Sequence, residues 1–330
     1  MRLSRRGNAG PVRCPPSIPL PCPTSIWHEA PGDAMHQLEG RIAVVSGAAS
    51  GIGRALATRF ATEGMRVVLA DIEAGALDEA AGEASERGAE VLAVPTDVAS
   101  RRSVDALAAA TIDRFGVPHV VCNNAGVSGT FGPLWETTDN DWDWVLGVNL
   151  KGVVHGIQAF VPAMIEAGHE GHVVNTSSVL GLSTGAGSIY AVTKHAVTRL
   201  TEGLWHDLRS AGSSISASVL CPGLIATRIV TAGRNRPDHL RNELNEAEVS
   251  EIDQRMRAAE QFFLESGMPP AEVAAMVVEA IGEDRFYILT HPEMILDQVR
   301  TRMEAILEGA PPPPEDPGDT LLSRALRERG

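Results

Sequence analysis

Two tyrosines and two lysines occur among the 330 residues, and one of each stands four apart, as Tyr190 and Lys194. Four residues apart on a helix, a phenol and an ammonium share one face. A free phenol titrates near about 10. A cation held about 4 Å away, at an effective dielectric of about 20, favours the phenolate by roughly 4 kcal/mol before any cost of desolvation. That would bring the phenol toward neutral pH, where it can pass a proton to or from a reacting oxygen. A solvated Tyr/Lys face has the same spacing, so the pair needs the rest of the chain to give it meaning.

The elements that would position the pair alternate. Short apolar runs at 42–46, 66–70, 91–94, 119–122, 172–176 and 215–220 read as strands. Helical spacing fills 52–63, 74–87, 103–115, 141–165 and 189–209 between them, with the fourth helix expected as one long element. Strands that are apolar on both faces and separated by helices imply a parallel sheet covered on both sides. The expected fold is a single Rossmann-type, doubly wound α/β domain over 36–309. Further helices are expected at 242–265, 270–281 and 292–307, with a last strand at 286–289.

Residues 1–35 are rich in proline, carry Arg2, Arg5 and Arg6, and show no periodicity. They are expected to be disordered, with Met35 as an alternative point of initiation, and a flexible tail is expected over 310–330. The net charge of -14, from 28 basic and 42 acidic residues, argues against nucleic acid and membrane surfaces as partners. No apolar run is long enough to span a membrane. Cys14, Cys22, Cys122 and Cys221 form no C-x-x-C and no Cys/His set, so no metal is expected and a reducing cytoplasm fits. His155, His169, His172 and His195 have no triad partner at a suggestive spacing.

The first strand runs into Gly47-Ala48-Ala49-Ser50-Gly51-Ile52-Gly53, which opens a helix. Small residues there let the backbone approach a pyrophosphate, and a helix N-terminus offers it amide donors. Asp71 ends the second strand, where a carboxylate can accept both hydroxyls of an adenosine ribose and would repel a 2′-phosphate. No arginine lies in the glycine turn or directly after Asp71. The cofactor expected is therefore NAD rather than NADP. The alternative role for Asp71 is to cap the helix that follows.

With these residues in place the chain resembles the short-chain dehydrogenase/reductase family over residues 38–300. Asn123-Asn124-Ala125-Gly126, Asp97-Val98, Asn149, Asn175-Thr176-Ser177-Ser178 and Pro222-Gly223-Leu224-Ile225-Ala226-Thr227 follow in the family's order. Two departures stand out. Ser46 replaces the usual threonine before the glycine turn, and the stretch from the serines to Tyr190 is one residue short. Counting back from Tyr190 selects Ser177, and aligning the strand selects Ser178, which the harder-to-shift strand register favours.

The resemblance implies a hydride exchange between a nicotinamide cofactor and a secondary alcohol or ketone. Asn149, Ser178, Tyr190 and Lys194 would be catalytic. Tyr190 would carry the proton, Ser178 would fix the reacting oxygen, Lys194 would bind the nicotinamide ribose, and Asn149 would hold a relay water. Gly47, Ser50, Gly51, Ile52, Gly53, Asp71, Asp97, Val98, Asn123, Tyr190, Lys194, Pro222, Ile225 and Thr227 would hold the cofactor. A lid over 225–268 and a homodimer or homotetramer are further implications. Phe131, Trp135, Leu182, Ile189, Ile229, Phe262 and Phe263 are candidate walls for a hydrophobic small-molecule substrate. An NADP-dependent biosynthetic reductase and a non-catalytic dinucleotide sensor are the competing readings; the sensor has no use for a proton relay.

Overall fold

A computed structural model describes residues 35–130, 133–185, 188–243 and 245–313. The expectations for residues 1–34, Phe131 and 314–330 lie outside these. Met35, grouped by its sequence with the disordered stretch, is 3% exposed and belongs to the core.

Seven parallel strands form one sheet in the order β3-β2-β1-β4-β5-β6-β7. They are β1 (Ile42–Ser46), β2 (Arg66–Asp71), β3 (Val91–Pro95), β4 (Val120–Asn123), β5 (Gly171–Thr176), β6 (Ile215–Cys221) and β7 (Tyr287–Leu289). The alternation of side chains along each strand feeds two cores. Ala43, Val45, Val67 and Leu69 join Leu56, Phe60, Leu77, Val277 and Ile281 on one face. Ile42, Val44, Val68 and Ala70 join Leu107, Phe160, Met164 and Leu208 on the other. Phe60 and Phe160 are both fully enclosed, and burying a side chain of that kind is worth about 1.5–3 kcal/mol.

The first face carries α1 (Gly51–Thr62), α2 (Ala74–Ser85) and, later in the chain, α8 (Pro270–Gly282). The second carries α3 (Arg101–Phe115), α5 (Gly152–Ala167) and α6 (Ile189–Ser210). Ser100 caps α3 and Ser188 caps α6, each accepting a bond from a backbone N–H of the first turn. The chain builds outward from β1 to β3, then returns to place β4 beside β1. That reversal opens a crevice at the carboxyl ends of β1 and β4.

The long helix expected over 141–165 is divided. α4 (Asp139–Leu146) starts from a Thr138/Asp141 capping box, a π-turn occupies Gly147–Lys151, and α5 follows. The wider turn falls between two glycines, and a methyl group on Gly152 would come within 2.9 Å of Val98. Such turns concentrate at functional sites, and this one carries Asn149. Beyond β6 lie short 3-10 turns at Ile229–Asn235 and Asp238–Leu240, then α7 (Glu246–Ser266); α9 (Pro292–Glu308) follows β7. Among the described residues no helix is long and apolar enough to cross a membrane.

Candidate active site

The glycine turn sits at the crevice. Gly47 and Gly51 have φ of +69° and +54°, which side chains disfavour. A methyl group on Gly53 would lie 2.0 Å from the Gly47 carbonyl oxygen, so this glycine lets helix and strand meet. Ser50 occupies the N-cap of α1 without a side-chain cap, and the first turn holds no acidic residue. Its amides are thus left to face the cavity, as an anionic phosphate requires. Thr227 stands directly over Gly51, at 2.9 Å from a methyl group built there, so two motifs 176 positions apart close on one another. The Ser46 hydroxyl donates to the Cys122 carbonyl and accepts from the amides of Asn124 and Ala125. It ties β1 to the end of β4 across the crevice, so the serine retains a bracing hydroxyl.

Asp71 accepts the Ala49 amide on Oδ2 and the Glu73 amide on Oδ1, both at 3.0 Å. It thereby fixes the glycine turn to β2, and Glu73, not Asp71, is the N-cap of α2. Asp97, Val98, Ile52, Pro222 and Ile225 line the same cavity. Asn123 does not. Its side chain donates to Asn175 Oδ1 at 2.9 Å, and Asn175 in turn donates to Thr201 at 3.1 Å. The expected cofactor contact of Asn123 is therefore corrected to a brace across β4, β5 and α6. The next residue points the other way, and Asn124 is the one that lines the cavity.

Tyr190, Lys194 and Ser178 converge on this cavity. The Lys194 ammonium lies 5.4 Å from the centre of the Tyr190 ring and donates to the Thr176 carbonyl at 2.8 Å. Ser178 lies close enough to the Tyr190 phenol to pull its titration down. Ser177 instead donates to the Lys194 carbonyl at 2.7 Å and pairs with Thr198, holding α6 against β5. Both serines border the cavity, and the Ser177 hydroxyl is the one committed to α6. Asn149 is fully buried behind the cavity. Its Oδ1 accepts the Val127 amide at 2.8 Å, while Nδ2 donates to the Val127 carbonyl at 2.9 Å and to Thr193 at 3.2 Å. Both amide protons are spent on protein, which leaves the second lone pair of Oδ1 as this side chain's remaining site for the expected relay water. What the side chain does is pin the loop after β4. A methyl group on Gly126 would lie 3.4 Å from both Asn149 Oδ1 and Lys194 Nζ, so this glycine lets the two side chains approach the loop closely.

A family model described as short chain dehydrogenase matches residues 41–238. A 1-deoxy-11-beta-hydroxypentalenate dehydrogenase of Streptomyces exfoliatus is 38% identical over 289 residues, 87% of this chain and 95% of the relative. The chain belongs to the short-chain dehydrogenase family. It is an oxidoreductase that works on an alcohol or ketone with a nicotinamide cofactor. A CLA biosynthesis dehydrogenase/reductase of Lactiplantibacillus plantarum is 31% identical over 84% of this dehydrogenase and 97% of that protein. Among solved structures, a short chain dehydrogenase/reductase from Burkholderia phymatum in complex with NAD aligns with a TM-score of 0.79 and 45% identity, covering 86% of this chain and 99% of that one.

The electrostatics of the dehydrogenase differ from the simple expectation of a cation lowering a phenol. Burial pushes the Tyr190 phenol up to about 12, with the Ser178 hydrogen bond pulling the other way. Burial also brings the Lys194 ammonium down from 10.5 to about 8. Burial disfavours the charged form of each group, which raises the phenol and lowers the ammonium. A stability test follows. Below about 8 Lys194 is charged in both the folded and unfolded chains, and the cost of burying it is present in full. Between about 8 and 10.5 the unfolded chain keeps a proton that the folded chain has released, so stability rises with pH. The gap is worth on the order of 3 kcal/mol. Lys194→Met lacks this rise, so the variant gains on the wild type at pH 7 and loses that advantage by pH 10. Chemical denaturation at both pH values measures it, with the other titrating groups cancelling in the difference. A pH-independent difference would refute the shift at Lys194.

The cavity occupies about 1050 Å³. Of the wall residues expected, Ile229 and Phe263 line it. Trp135 is 85% exposed, Ile189 packs with Trp144 and Val145 in a separate core, and Leu182 and Phe262 stand off the cavity. Val127, Trp144, Val148 and Leu240 supply apolar wall that the sequence did not single out, and α9 adds Met294, Gln298 and Thr301 at helical spacing. Arg302 anchors α9 by donating to the Leu182 carbonyl and to His195 Nε2, both at 2.7 Å. Ile225 and Met268, the residues at either end of the segment expected to act as a lid, pair in an isolated parallel bridge. Among the described residues, no cluster of His, Cys, Asp or Glu gathers as metal ligands.

Proposed function

We propose that this dehydrogenase uses NAD to oxidise a bulky, mostly apolar secondary alcohol, or reduces the corresponding ketone. The observation that carries the reading is the meeting of Tyr190, Ser178 and Lys194 in one cavity with an uncapped helix N-terminus and Asp71. The α1 amides suit a pyrophosphate, and the Asp71 carboxylate suits a ribose diol. Arg234 of the lid reaches this end of the cavity, which the sequence did not foretell, yet its guanidinium is committed to Glu73 at 2.6 and 3.0 Å. The Asp71 carboxylate at this end repels a 2′-phosphate, which favours NAD. The structure in complex with NAD from Burkholderia phymatum supports the same choice.

When bound, the dinucleotide supplies the hydride acceptor and, oxidised, a positive charge near the phenol. The chain's own residues do the rest. Ser178 hydrogen bonds the substrate oxygen and sets its distance from Tyr190. Tyr190 moves the proton at that oxygen, and because burial keeps its own proton on at neutral pH, the protein by itself is armed for the reduction direction. Lys194 keeps two of its three donors for the cofactor ribose after its bond to Thr176. The apolar walls from α4 and the lid exclude water and accept a ring system. The Streptomyces relative is named for a hydroxypentalenate, in keeping with a cyclic carbon skeleton. The test is NAD reduction, followed by nicotinamide absorbance, with decahydronaphthalen-2-ol against propan-2-ol. A bicyclic preference with NAD is the expected result. Inactivity with both cofactors, or a preference for NADP, would overturn the reading.

A further inference from the structure

The ion pairs that tie the lid to the rest of the described chain are unequal. Arg236 donates to Asp141 at 2.7 Å, with the two side chains only 10% and 3% exposed. The same guanidinium lies over the Trp144 ring at 5.2 Å, and Asn242 adds a bond to Asp141. This fastening is sealed, and removing one partner would strand a buried charge. Arg228 to Glu260 joins the lid to its own helix α7. A further fastening crosses the cavity. Arg234 donates through Nε and Nη2 to Glu73 Oε1 at 3.0 and 2.6 Å, and Asn235 donates to the same oxygen at 2.7 Å. Arg234 also holds the Thr231 carbonyl at 3.0 Å, which stiffens the lid arm behind it. Glu73 and Arg234 are 27% and 29% exposed, so water reaches the pair as it breaks.

Glu73 is two residues beyond Asp71 and stands at the N-cap of α2, where its side chain makes no cap bond. Its carboxylate is turned to the lid instead. Burial works against ionising it, but the bonds from Arg234 and Asn235 and the charges of Arg234 and Arg228 hold it below the usual carboxylate range. Glu73, Arg234 and Asn235 all line the cavity that contains Asp71 and the glycine turn. The lid therefore has a costly anchor on the α4 side and a cheap one on the β2 side.

We propose that Glu73, Arg234 and Asn235 form a clasp over the adenosine end of the dinucleotide, and that its opening, with the Arg236–Asp141 side as hinge, sets the rate of cofactor exchange. The inference rests on the reading that the glycine turn and Asp71 hold the dinucleotide. Glu73 is a positioning residue: it acts on the cofactor through the lid. Stopped-flow fluorescence of NADH release from the purified protein tests it. Glu73→Gln and Arg234→Ala each speed release by about fivefold, equivalent to about 1 kcal/mol, and raise the KM for NAD by a similar factor. Added salt speeds release from the wild type more than from either variant, because both variants lack the half-solvated Glu73–Arg234 pair. The exchanged pair Glu73→Arg/Arg234→Glu recovers most of the lost retention, an outcome that a merely structural role would not give. Unchanged release in both single variants would overturn the clasp, as would the absence of both rescue and salt dependence. Failure of the wild type to bind NADH would remove the reading of the glycine turn, and the clasp with it.

Discussion

Tyr190→Phe lowers turnover by about a thousandfold, within the range of about 10²–10⁴ that a positioned acid or base contributes. The substitution deletes one oxygen. The ring stays against Lys194, whose ammonium is 5.4 Å from its centre, and Lys194 keeps its bond to the Thr176 carbonyl. The cavity is therefore still shaped for the cofactor, and NADH affinity, read by fluorescence titration, is expected within about twofold of the wild type, well under 1 kcal/mol. Ser178 keeps the Leu180 amide and the Pro222 carbonyl as partners, at 3.2 and 3.4 Å. A rate that survives the substitution would remove Tyr190 as the proton carrier. A rate lost together with NADH binding would mean that the phenol holds the site together instead of moving a proton.

Asp71→Asn relaxes the choice of cofactor. A carboxylate has about four sites for incoming donors. The amides of Ala49 and Glu73 take two of them, one on each oxygen, which leaves one on each for the two ribose hydroxyls. A 2′-phosphate in that position meets a like charge in a part-buried crevice, a juxtaposition that costs several kcal/mol. The wild type is expected to prefer NAD over NADP in kcat/KM by at least about a hundredfold, or about 2.7 kcal/mol. Asparagine keeps an acceptor for the Ala49 amide while removing the charge, so the ratio falls to about ten or less, mostly through better use of NADP. Steady-state kinetics with both cofactors decide it. An unchanged ratio would place the discrimination elsewhere, with Arg234 the first residue to examine.

Much of this architecture was legible because it rests on local rules. Residues 42–46 and 66–70 read as strands buried on two sides, and each feeds both cores. The glycine turn was legible because two of its positions need positive φ and a third tolerates no side chain. The failures have physical causes too. The π-turn at Gly147–Lys151 has the same apolar periodicity as the helices around it, so its break does not show in the pattern. Asn123 and Asn124 are chemically identical, and which one faces the cavity depends on where β4 ends. The wall residues on α9 have ordinary helical spacing, which cannot say whether a face meets solvent or a cavity. Glu73 and Arg234 are 161 positions apart, and nothing in either neighbourhood points to the other. The raised phenol followed from burial, which the spacing of Tyr190 and Lys194 does not contain.

Direct transfer of hydrogen from substrate carbon to nicotinamide is the core of the account. The decisive measurement uses decahydronaphthalen-2-ol deuterated at its carbinol carbon, incubated with the enzyme and NAD in ordinary water, with the reduced nucleotide then examined by mass spectrometry and proton NMR. One deuterium at C4 of the nicotinamide, on a single face, is the result predicted. Reduced nucleotide without the label, or ketone formed with no reduced nucleotide at all, would contradict it.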